Sequence, residues 1–349
     1  KHEVGLIDTI RVCHAKGKLV DELMSTGTIQ VDDDQKTWEN MRSAGATWRE
    51  IVDADVMGHM AILRNLRNIF GEVDDTETRD KVLTKLKNDV LKGKQFPFRY
   101  YSAIKVINHA DIFFKSQVID SLEECIDISI KNMPKLKGKT MCLSDNSGSA
   151  WDTFNSEYGK MTIAEIDNLS SVVTGMCSDE GYVGEFGDKL KTIPVSKRNG
   201  ALIQSKLISA DEGDDVGCCT ENGIWLFFKQ AIEKKEHWDN IFIYSDQQAG
   251  HGGLYGIGRD YLIGDESFKT DCWGNYIDVM KLIDKYRKTV NPKVNVFCVQ
   301  TAGYSNALIP EYIYRGAVLY GWTGKESLFA SEIIKQWDEI ESRQENKNK

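Results

Sequence analysis

The spacing of apolar residues changes once along this chain of 349 residues, near Met133 and Pro134. Before that point apolar residues recur at helical spacing over 55–70, 76–92 and 111–130, with no strand pattern between them. After it, short apolar runs alternate with helical segments, which is typical of a mainly parallel sheet covered by helices. The sequence therefore predicts an α-helical domain over 1–136 and a doubly wound α/β domain over 137–349.

The α/β domain contains five apolar runs that read as strands and four helical segments between or after them. The predicted strands are 140–145, 182–187, 240–246, 294–301 and 317–322, and the predicted helices are 161–177, 220–235, 276–289 and 326–341. In sheets of this kind, ligands bind at the carboxyl ends of the strands, where the loops converge. Polar residues that follow these strands are therefore the first candidates for a site.

Acidic and hydroxyl residues stand at three such places. Asp145 ends the first strand and is followed by Ser147 and Ser149, Asp246 ends the strand 240–246, and Thr220 lies where a loop leads into the helix 220–235. Oxygen ligands with only one or two carboxylates suit a small hard cation such as Mg²⁺. The pattern predicts a Mg²⁺ or Mn²⁺ site, although either serine could instead cap a helix.

Charge is distributed unevenly around a net value of −9. Residues 1–140 carry 22 Lys and Arg against 22 Asp and Glu, so the excess of acids lies entirely in the remainder. Residues 79–105 carry eight basic residues against two acidic ones, which could meet phosphates or form an ordinary solvated helix face. Eight scattered cysteines without metal-finger spacing and no apolar run long enough for a membrane helix predict a cytoplasmic protein without a membrane partner.

Two sets of residues resemble known families. Asp145, Ser147, Ser149, Thr220 and Asp246 resemble the metal-ion-dependent adhesion site of a von Willebrand factor A domain, over residues 140–345. The segments MGHMAILRNLRNIFG and QFPFRYYSAI resemble the TROVE module of Ro 60 kDa-type RNA-binding proteins. The resemblance implies HEAT-like helical repeats followed by a Rossmann-like A domain. It also implies that part of the helical module lies upstream of Lys1.

The resemblance to Ro proteins implies binding of small noncoding, Y-like RNA and of the ends of misfolded RNA in a ribonucleoprotein. The segment IRVCHAKGK resembles the RNA-contacting helix of the family, which makes His14, Arg11 and Lys16 the expected RNA contacts. His14 could also be an ordinary surface histidine. Arginines 64, 67 and 99 match family motifs and could tie helices together or contact RNA.

Two further functions stay open. The first is a protein-interaction module that binds a partner's carboxylate through Mg²⁺ and does not bind RNA. The second is a metal-dependent hydrolase, which is disfavoured because such chemistry usually needs clustered carboxylates, a second metal and a base. The sequence therefore predicts a binding protein rather than an enzyme, with a possible protein partner at the metal site.

Overall fold

A computed structural model describes residues 6–27, 37–151, 153–156, 159–187, 189–209, 216–217, 220–247, 279–304, 307–321 and 324–347. The chain divides into two compact units, residues 1–58 and 59–349. The second unit contains both helices and the sheet, and the change from helices to strands falls at Leu136. The prediction that two independent domains divide between residues 136 and 137 therefore stays a prediction.

The described residues of the first unit form four helices: α1 (Leu6–Cys13), α2 (Lys18–Thr26), α3 (Trp38–Ser43) and α4 (Trp48–Asp53). A capping box starts α4, because the Thr47 side chain accepts a hydrogen bond from the Glu50 N–H while the Glu50 carboxylate accepts one from the Thr47 N–H. The Trp38 and Trp48 rings stack with their centroids 6.0 Å apart. This contact joins α3 to α4.

The second unit opens with five helices: α5 (His59–Glu72), α6 (Thr76–Asn88), α7 (Val90–Gly93), α8 (Pro97–Asn108) and α9 (Lys115–Ser129). Pro97 occupies the first turn of α8, where its missing N–H costs no hydrogen bond. The His59 Nε2 atom and the Tyr100 hydroxyl form a buried hydrogen bond of 2.8 Å between α5 and α8. Helical packing of the N-terminal part is thus confirmed, whereas its description as HEAT-like repeats remains a prediction.

The rest of the unit alternates strands and helices: β1 (Leu136–Asp145), β2 (Thr153–Ser156), β3 (Gly159–Thr162), α10 (Ile163–Cys177), β4 (Ser178–Phe186), β5 (Leu190–Pro194), α11 (Ala201–Ser209), α12 (Thr220–Glu233), β6 (Asn240–Ser245), α13 (Val279–Thr289), β7 (Asn295–Gln300), β8 (Tyr312–Ile313), β9 (Gly316–Tyr320) and α14 (Glu326–Lys347). Seven of these strands form one sheet in the order β5-β4-β1-β6-β7-β9-β8. The five central strands are parallel, and β5 and β8 pair antiparallel at the edges. The predicted doubly wound, mainly parallel sheet is confirmed.

Alternate residues of β6 show how the sheet is covered. Ile241 and Ile243 pack in the core formed with α12 and α13, whereas Phe242 and Tyr244 belong to the core that includes α14. The Thr174 and Tyr244 hydroxyls share a buried hydrogen bond of 2.6 Å, which places α10 on the same face as α14. Both faces are therefore covered, as the continuous apolar strands require.

Among the described residues after Leu136, five elements lie outside the predicted set: the strands β2 and β3 of a hairpin, the edge strands β5 and β8, and the helix α11. No helix in the described ranges combines the length and the apolar character needed to cross a bilayer.

Candidate functional sites

The carboxyl ends of β1 and β6 meet at the point where the strand order reverses. The chain passes from β1 to β4 on one side and later adds β6 on the other side. Ser144 pairs with Tyr244 in the parallel register, so the next residues, Asp145 and Ser245, lie side by side. Such reversal points open a crevice for ligands in doubly wound sheets.

Asp145 is fully buried at this edge. Its Oδ1 atom accepts a hydrogen bond from the Ser147 N–H at 2.9 Å, and its Oδ2 atom accepts one from the Ser245 hydroxyl at 2.6 Å. Burial and then the charge of Asp246, itself 2% exposed, raise the pKa of Asp145 to about 6, although the serine hydrogen bonds oppose them. Two buried carboxylates therefore repel each other here, and a cation between them would relieve that repulsion.

Ser149 and Thr220 complete the predicted ligand set. Ser149 lies in a short 3₁₀ turn, Gly148–Trp151, and is exposed. Thr220 is the first residue of α12, and its side chain lies outside the described part of the structure. The structure thus brings Asp145, Ser147 and Asp246 together and places Ser149 two residues further along the same loop.

Gly223 fixes how closely the first turn of α12 approaches the end of β4. Its N–H donates a hydrogen bond to the Gly187 carbonyl at 2.9 Å. A Cβ atom at this position would lie 2.3 Å from the Phe186 Cβ, which is far inside van der Waals contact. Only glycine therefore allows this approach.

The loop after β1 is tied to α10 by a pair of buried amides that the sequence did not reveal. The Asn168 amide donates to Asn146 Oδ1 at 3.0 Å, and the Asn146 amide donates to Asn168 Oδ1 at 2.9 Å. The Ser144 hydroxyl also donates to Asn168 Oδ1 at 2.6 Å. The position of Asn146 inside the Asp-x-Ser-x-Ser segment was the only signal for this contact. Nothing in the sequence marked Ser245 as a partner of Asp145.

A second candidate site is a cleft of about 300 Å³ between α5 and α8, which we term the arginine cleft. Its lining includes three arginines whose side chains are exposed, and no acidic residue among the side chains that the structure describes there. Its floor is apolar. The lining residues are Met60, Leu63, Arg64, Leu66, Arg67, Arg99, Ser102, Ala103, Val106 and Ile107.

Five of the eight basic residues of 79–105 form ion pairs with neighbouring acids. Surface ion pairs of this kind leave less charge for phosphates, because a phosphate must compete with a carboxylate already in place. The pairs are Arg79–Asp80, Lys81–Glu77, Lys87–Glu124, Lys92–Asp89 and Lys105–Glu165. The interpretation of this stretch as an ordinary solvated face is therefore favoured over a phosphate-binding surface.

The expected RNA contacts of the first unit lie at the end of α1. Arg11 occupies its last turn, and His14 follows with a φ of 49°, in the left-handed region. Lys16 lies in the loop before α2. All three residues are exposed, so they are available to a ligand.

The segment that contains the arginine cleft matches a known family. Residues 33–141 match the family model of the TROVE domain. The chain carries a TROVE domain. In this TROVE-domain protein the arginine cleft lies inside the matched segment, whereas Arg11, His14 and Lys16 precede it and Asp145 follows it.

The TROVE-domain protein also resembles a solved structure over most of its length. It matches the crystal structure of the Deinococcus radiodurans Ro (RSR) protein with a TM-score of 0.66 and 14% sequence identity. The match covers 93% of this chain and 70% of the Deinococcus chain, and at this identity it shows a shared fold. No curated protein sequence matches the chain.

Proposed function

We propose that this TROVE-domain protein is a Ro-like RNA-binding protein of a ribonucleoprotein, with small noncoding, Y-like RNA and the single-stranded ends of misfolded RNA as ligands. The observation that carries the proposal is the arginine cleft. No hydrogen bond or ion pair to another side chain occupies Arg64 or Arg67 within the described residues, in contrast to the paired residues of 79–105.

The chemistry of the cleft suits a single-stranded segment. Arginine neutralises phosphates and stacks on bases, and the apolar floor can accept a base face. An arginine that only ties two helices together would be engaged with its neighbour, and the exposure of Arg64 and Arg67 argues against that alternative. The matched TROVE segment and the Ro-like fold also support the proposal.

Reversal of the cleft charges tests this proposal. A small stem-loop RNA with a single-stranded tail is titrated by fluorescence anisotropy with the wild type and with the double variant Arg64→Glu/Arg67→Glu at several salt concentrations. We expect an affinity at least tenfold lower, and a log–log salt slope smaller in magnitude by about 1.4, for two lost contacts to a single strand.

The matched control is Lys335→Glu/Arg343→Glu on α14, which changes the net charge equally at two exposed positions. Equal losses in both double variants, or no loss in the cleft variant, would remove the cleft as the binding surface. Absence of salt-dependent RNA binding by the wild type would favour the interaction module without RNA.

Arg11, His14 and Lys16 are the second proposed RNA contact. Histidine can stack on a base, and stacking contributes about 1–3 kcal/mol per base. His14→Ala should therefore lower the affinity for the tailed RNA about fivefold or more, and His14→Phe should retain most of it. Equal affinities of the wild type and both variants would show that His14 is an ordinary surface residue.

We also propose that Asp145, Ser147, Ser149, Thr220 and Asp246 hold Mg²⁺ or Mn²⁺. The specific observation in its favour is the meeting of two buried acids at the reversal point of the sheet. Asp145 accepts hydrogen bonds from the Ser147 N–H and the Ser245 hydroxyl, and a carboxylate, which has about four acceptor positions, can bind a hard cation in addition. In the adhesion sites that this set resembles, the ion's open position takes an acidic group from a protein partner.

A further inference from the structure

Another pocket lies on α8, on the face opposite to the arginine cleft. Tyr101, Ile104, Lys105 and Asn108 recur at helical spacing along this face and line the pocket. The rest of the lining comes from α9, α10, α11 and the turn Gly148–Trp151, and we term the site the tryptophan pocket. Its volume of about 280 Å³ is close to the lower limit for small-molecule sites, so it suits a single ring system.

The charged side chains that line the tryptophan pocket are paired. Lys105 on α8 donates to the Glu165 carboxylate on α10, which also accepts a hydrogen bond from the Tyr101 hydroxyl at 3.4 Å. Lys206 on α11 forms an ion pair of 3.0 Å with Glu123 on α9. An anionic ligand would have to compete with carboxylates that are already in place. The pocket therefore favours an uncharged ligand.

Trp151 gives the pocket a flat surface that is held in place. Its indole N–H donates to the Asn146 carbonyl at 3.2 Å. The indole is partly buried, and no aromatic ring of a described residue stacks on it. A fixed indole that is partly open can accept a second planar ring, because little side-chain freedom is lost when the two rings stack. The ring packs against a small apolar cluster formed by Ala150, Ile163, Ala164 and Ala302.

The remaining walls combine apolar side chains with one available amide. Ile104, Ile119 and Leu202 supply the apolar part. The Asn108 side chain is exposed, and its amide makes no hydrogen bond to a described residue. An amide carries both donors and an acceptor, which match the polar edge of a heterocycle. A flat, uncharged ring with polar edges therefore complements the aromatic surface, the apolar walls and the amide together.

We propose that the tryptophan pocket binds a single nucleobase, which stacks on Trp151 and forms hydrogen bonds with the Asn108 amide. Stacking on an aromatic side chain tolerates any base, because every base has a π face. A free nucleoside and an unpaired base of an RNA present the same ring, so either can supply it. A base supplied by RNA rests on the proposed function, whereas binding of a free nucleoside does not, since the pocket shares no lining residue with the arginine cleft.

The tryptophan pocket and the arginine cleft should differ in their response to salt. Phosphate contacts at the arginine cleft weaken as the salt concentration rises, because they depend on the release of counterions. A nucleobase in the tryptophan pocket meets only paired charges, so its affinity should change by less than about twofold over the same salt range. Adenosine and AMP should bind within about twofold of each other for the same reason.

Adenosine titrations of the wild type and of pocket variants test this proposal. Binding is followed by calorimetry and by ligand-observed NMR. We expect Trp151→Ala to bind adenosine about tenfold more weakly than the wild type, and Trp151→Phe, which keeps a ring, to lose less than about threefold. Asn108→Leu removes the amide from an exposed position and should weaken binding about threefold.

A matched control separates the pocket from general effects of losing an aromatic ring. Tyr312→Ala removes a ring that is 86% exposed on the edge strand β8 and lies outside the pocket. This variant should bind adenosine like the wild type. Thermal unfolding of every variant monitors the fold. If Trp151→Ala does not fold, Asn108→Leu decides the question, and wild-type affinity in that variant would overturn the pocket.

Three other results would overturn the proposal. The first is adenosine binding that is absent in the wild type or equal in the wild type and Trp151→Ala. The second is binding of p-cresol as tight as that of adenosine, which would point to an aromatic side chain of a protein as the ligand. The third is AMP binding about tenfold tighter than that of adenosine and sensitive to salt, which would show a phosphate site.

The tailed RNA identifies the source of the base. If RNA supplies it, Trp151→Ala should also weaken RNA binding, and adenosine should compete with the RNA. If a free nucleoside is the ligand, RNA affinity should stay unchanged in Trp151→Ala. Arg64→Glu/Arg67→Glu should bind adenosine like the wild type in either case. A failure of RNA binding at the arginine cleft would therefore leave the adenosine result intact, and the reverse also holds.

Discussion

Buried charged side chains occur at both edges of the central sheet, but they have different neighbours. At the edge where the strands begin, Arg315 has a side chain that is 5% exposed, and it donates to Asp338 at 2.6 Å and to Glu341 at 3.0 Å. Its Nε atom also donates to Asn295 at 2.9 Å. At the edge where the strands end, Asp145 and Asp246 are both buried, and the charge of Asp246 raises the pKa of Asp145.

The difference teaches where stability and binding are located in this sheet. A buried charge that the chain satisfies by itself holds α14 against β7 and β9, and it offers nothing to a ligand. Two buried acids that repel each other cost stability until a cation binds between them, and such arrangements are typical of functional sites. The comparison can be tested by changing each edge in turn.

The largest effect on the free energy of unfolding is expected from Arg315. Arg315→Met should lower the free energy of unfolding by about 2 kcal/mol, because Glu341 and the buried Asn295 lose a charged hydrogen-bond donor, whereas the exposed Asp338 is rehydrated. Urea denaturation would measure the loss, which should be the same with EDTA and with Mg²⁺. The exposed Arg343→Met should change the stability by less than about 0.5 kcal/mol. A loss for Arg315→Met that matches this control would show that the buried pairs contribute no net stability.

A smaller effect with a defined sign is expected from pH. Folding raises the pKa of Asp145 to about 6, so its penalty is absent below the unfolded value of 3.8 and grows as the pH rises from there to about 6. The metal-free protein should therefore be more stable at pH 5 than at pH 7, by about 1 kcal/mol. Urea denaturation in EDTA at the two pH values measures this, and Asp145→Asn should make the difference smaller. A wild-type protein that is less stable at pH 5 would contradict the expected sign.

Glu341, at the edge where the strands begin, should not contribute to the change in stability between pH 5 and pH 7. Burial raises the pKa of Glu341, but hydrogen bonds from Arg315, Lys293 and Tyr314 outweigh it and hold the pKa below its ordinary value. Its stabilising contribution is therefore fully present above about pH 4.5 and is lost only as the pH falls through the lowered value. The pH dependence between 5 and 7 thus reports on the acids at the carboxyl edge.

The smallest effect on stability is expected in the arginine cleft. Arg64→Ala/Arg67→Ala should change the free energy of unfolding by less than about 0.5 kcal/mol, because both side chains are exposed. The same variant should bind the tailed RNA more weakly than the wild type. Thermal unfolding and anisotropy on one preparation measure both quantities. A large loss of stability would mean that these arginines hold the helices together.

The strands and their end residues could be predicted because continuous apolar runs identify buried parallel strands. Asp145 and Asp246 could be placed together on that basis alone, since neighbouring parallel strands end at one edge. In the structure the Ser245 hydroxyl lies 2.6 Å from Asp145 Oδ2 and 3.5 Å from Asp246 Oδ1, so the two acids are neighbours, whereas their role as metal ligands stays a prediction. The edge strands β5 and β8 were missed because β5 is only partly buried and β8 has two residues, so neither shows an apolar run.

The buried Asn168 and the buried arginine could not be placed in the same way. Asn168 stands within a helix that is buried on nearly all sides, and its partners Ser144 and Asn146 depend on how α10 rotates against the sheet. Arg315 reaches partners that lie more than 20 residues further along the chain. Contacts between distant segments need three-dimensional packing, which spacing in a single sequence does not encode.

Gly223 has only a hydrogen atom where any other residue would place a Cβ atom against Phe186. This glycine lies about one helical turn after Thr220. Because Gly223 has no side chain, no rotamer change at this position can adjust the spacing between the first turn of α12 and the strand edge. Replacement by alanine would force the helix outward as a rigid rod and would carry the start of α12 away with it. The geometry at the mouth of the crevice therefore depends on a residue that would never touch a ligand, and a mutational survey restricted to polar side chains would overlook it.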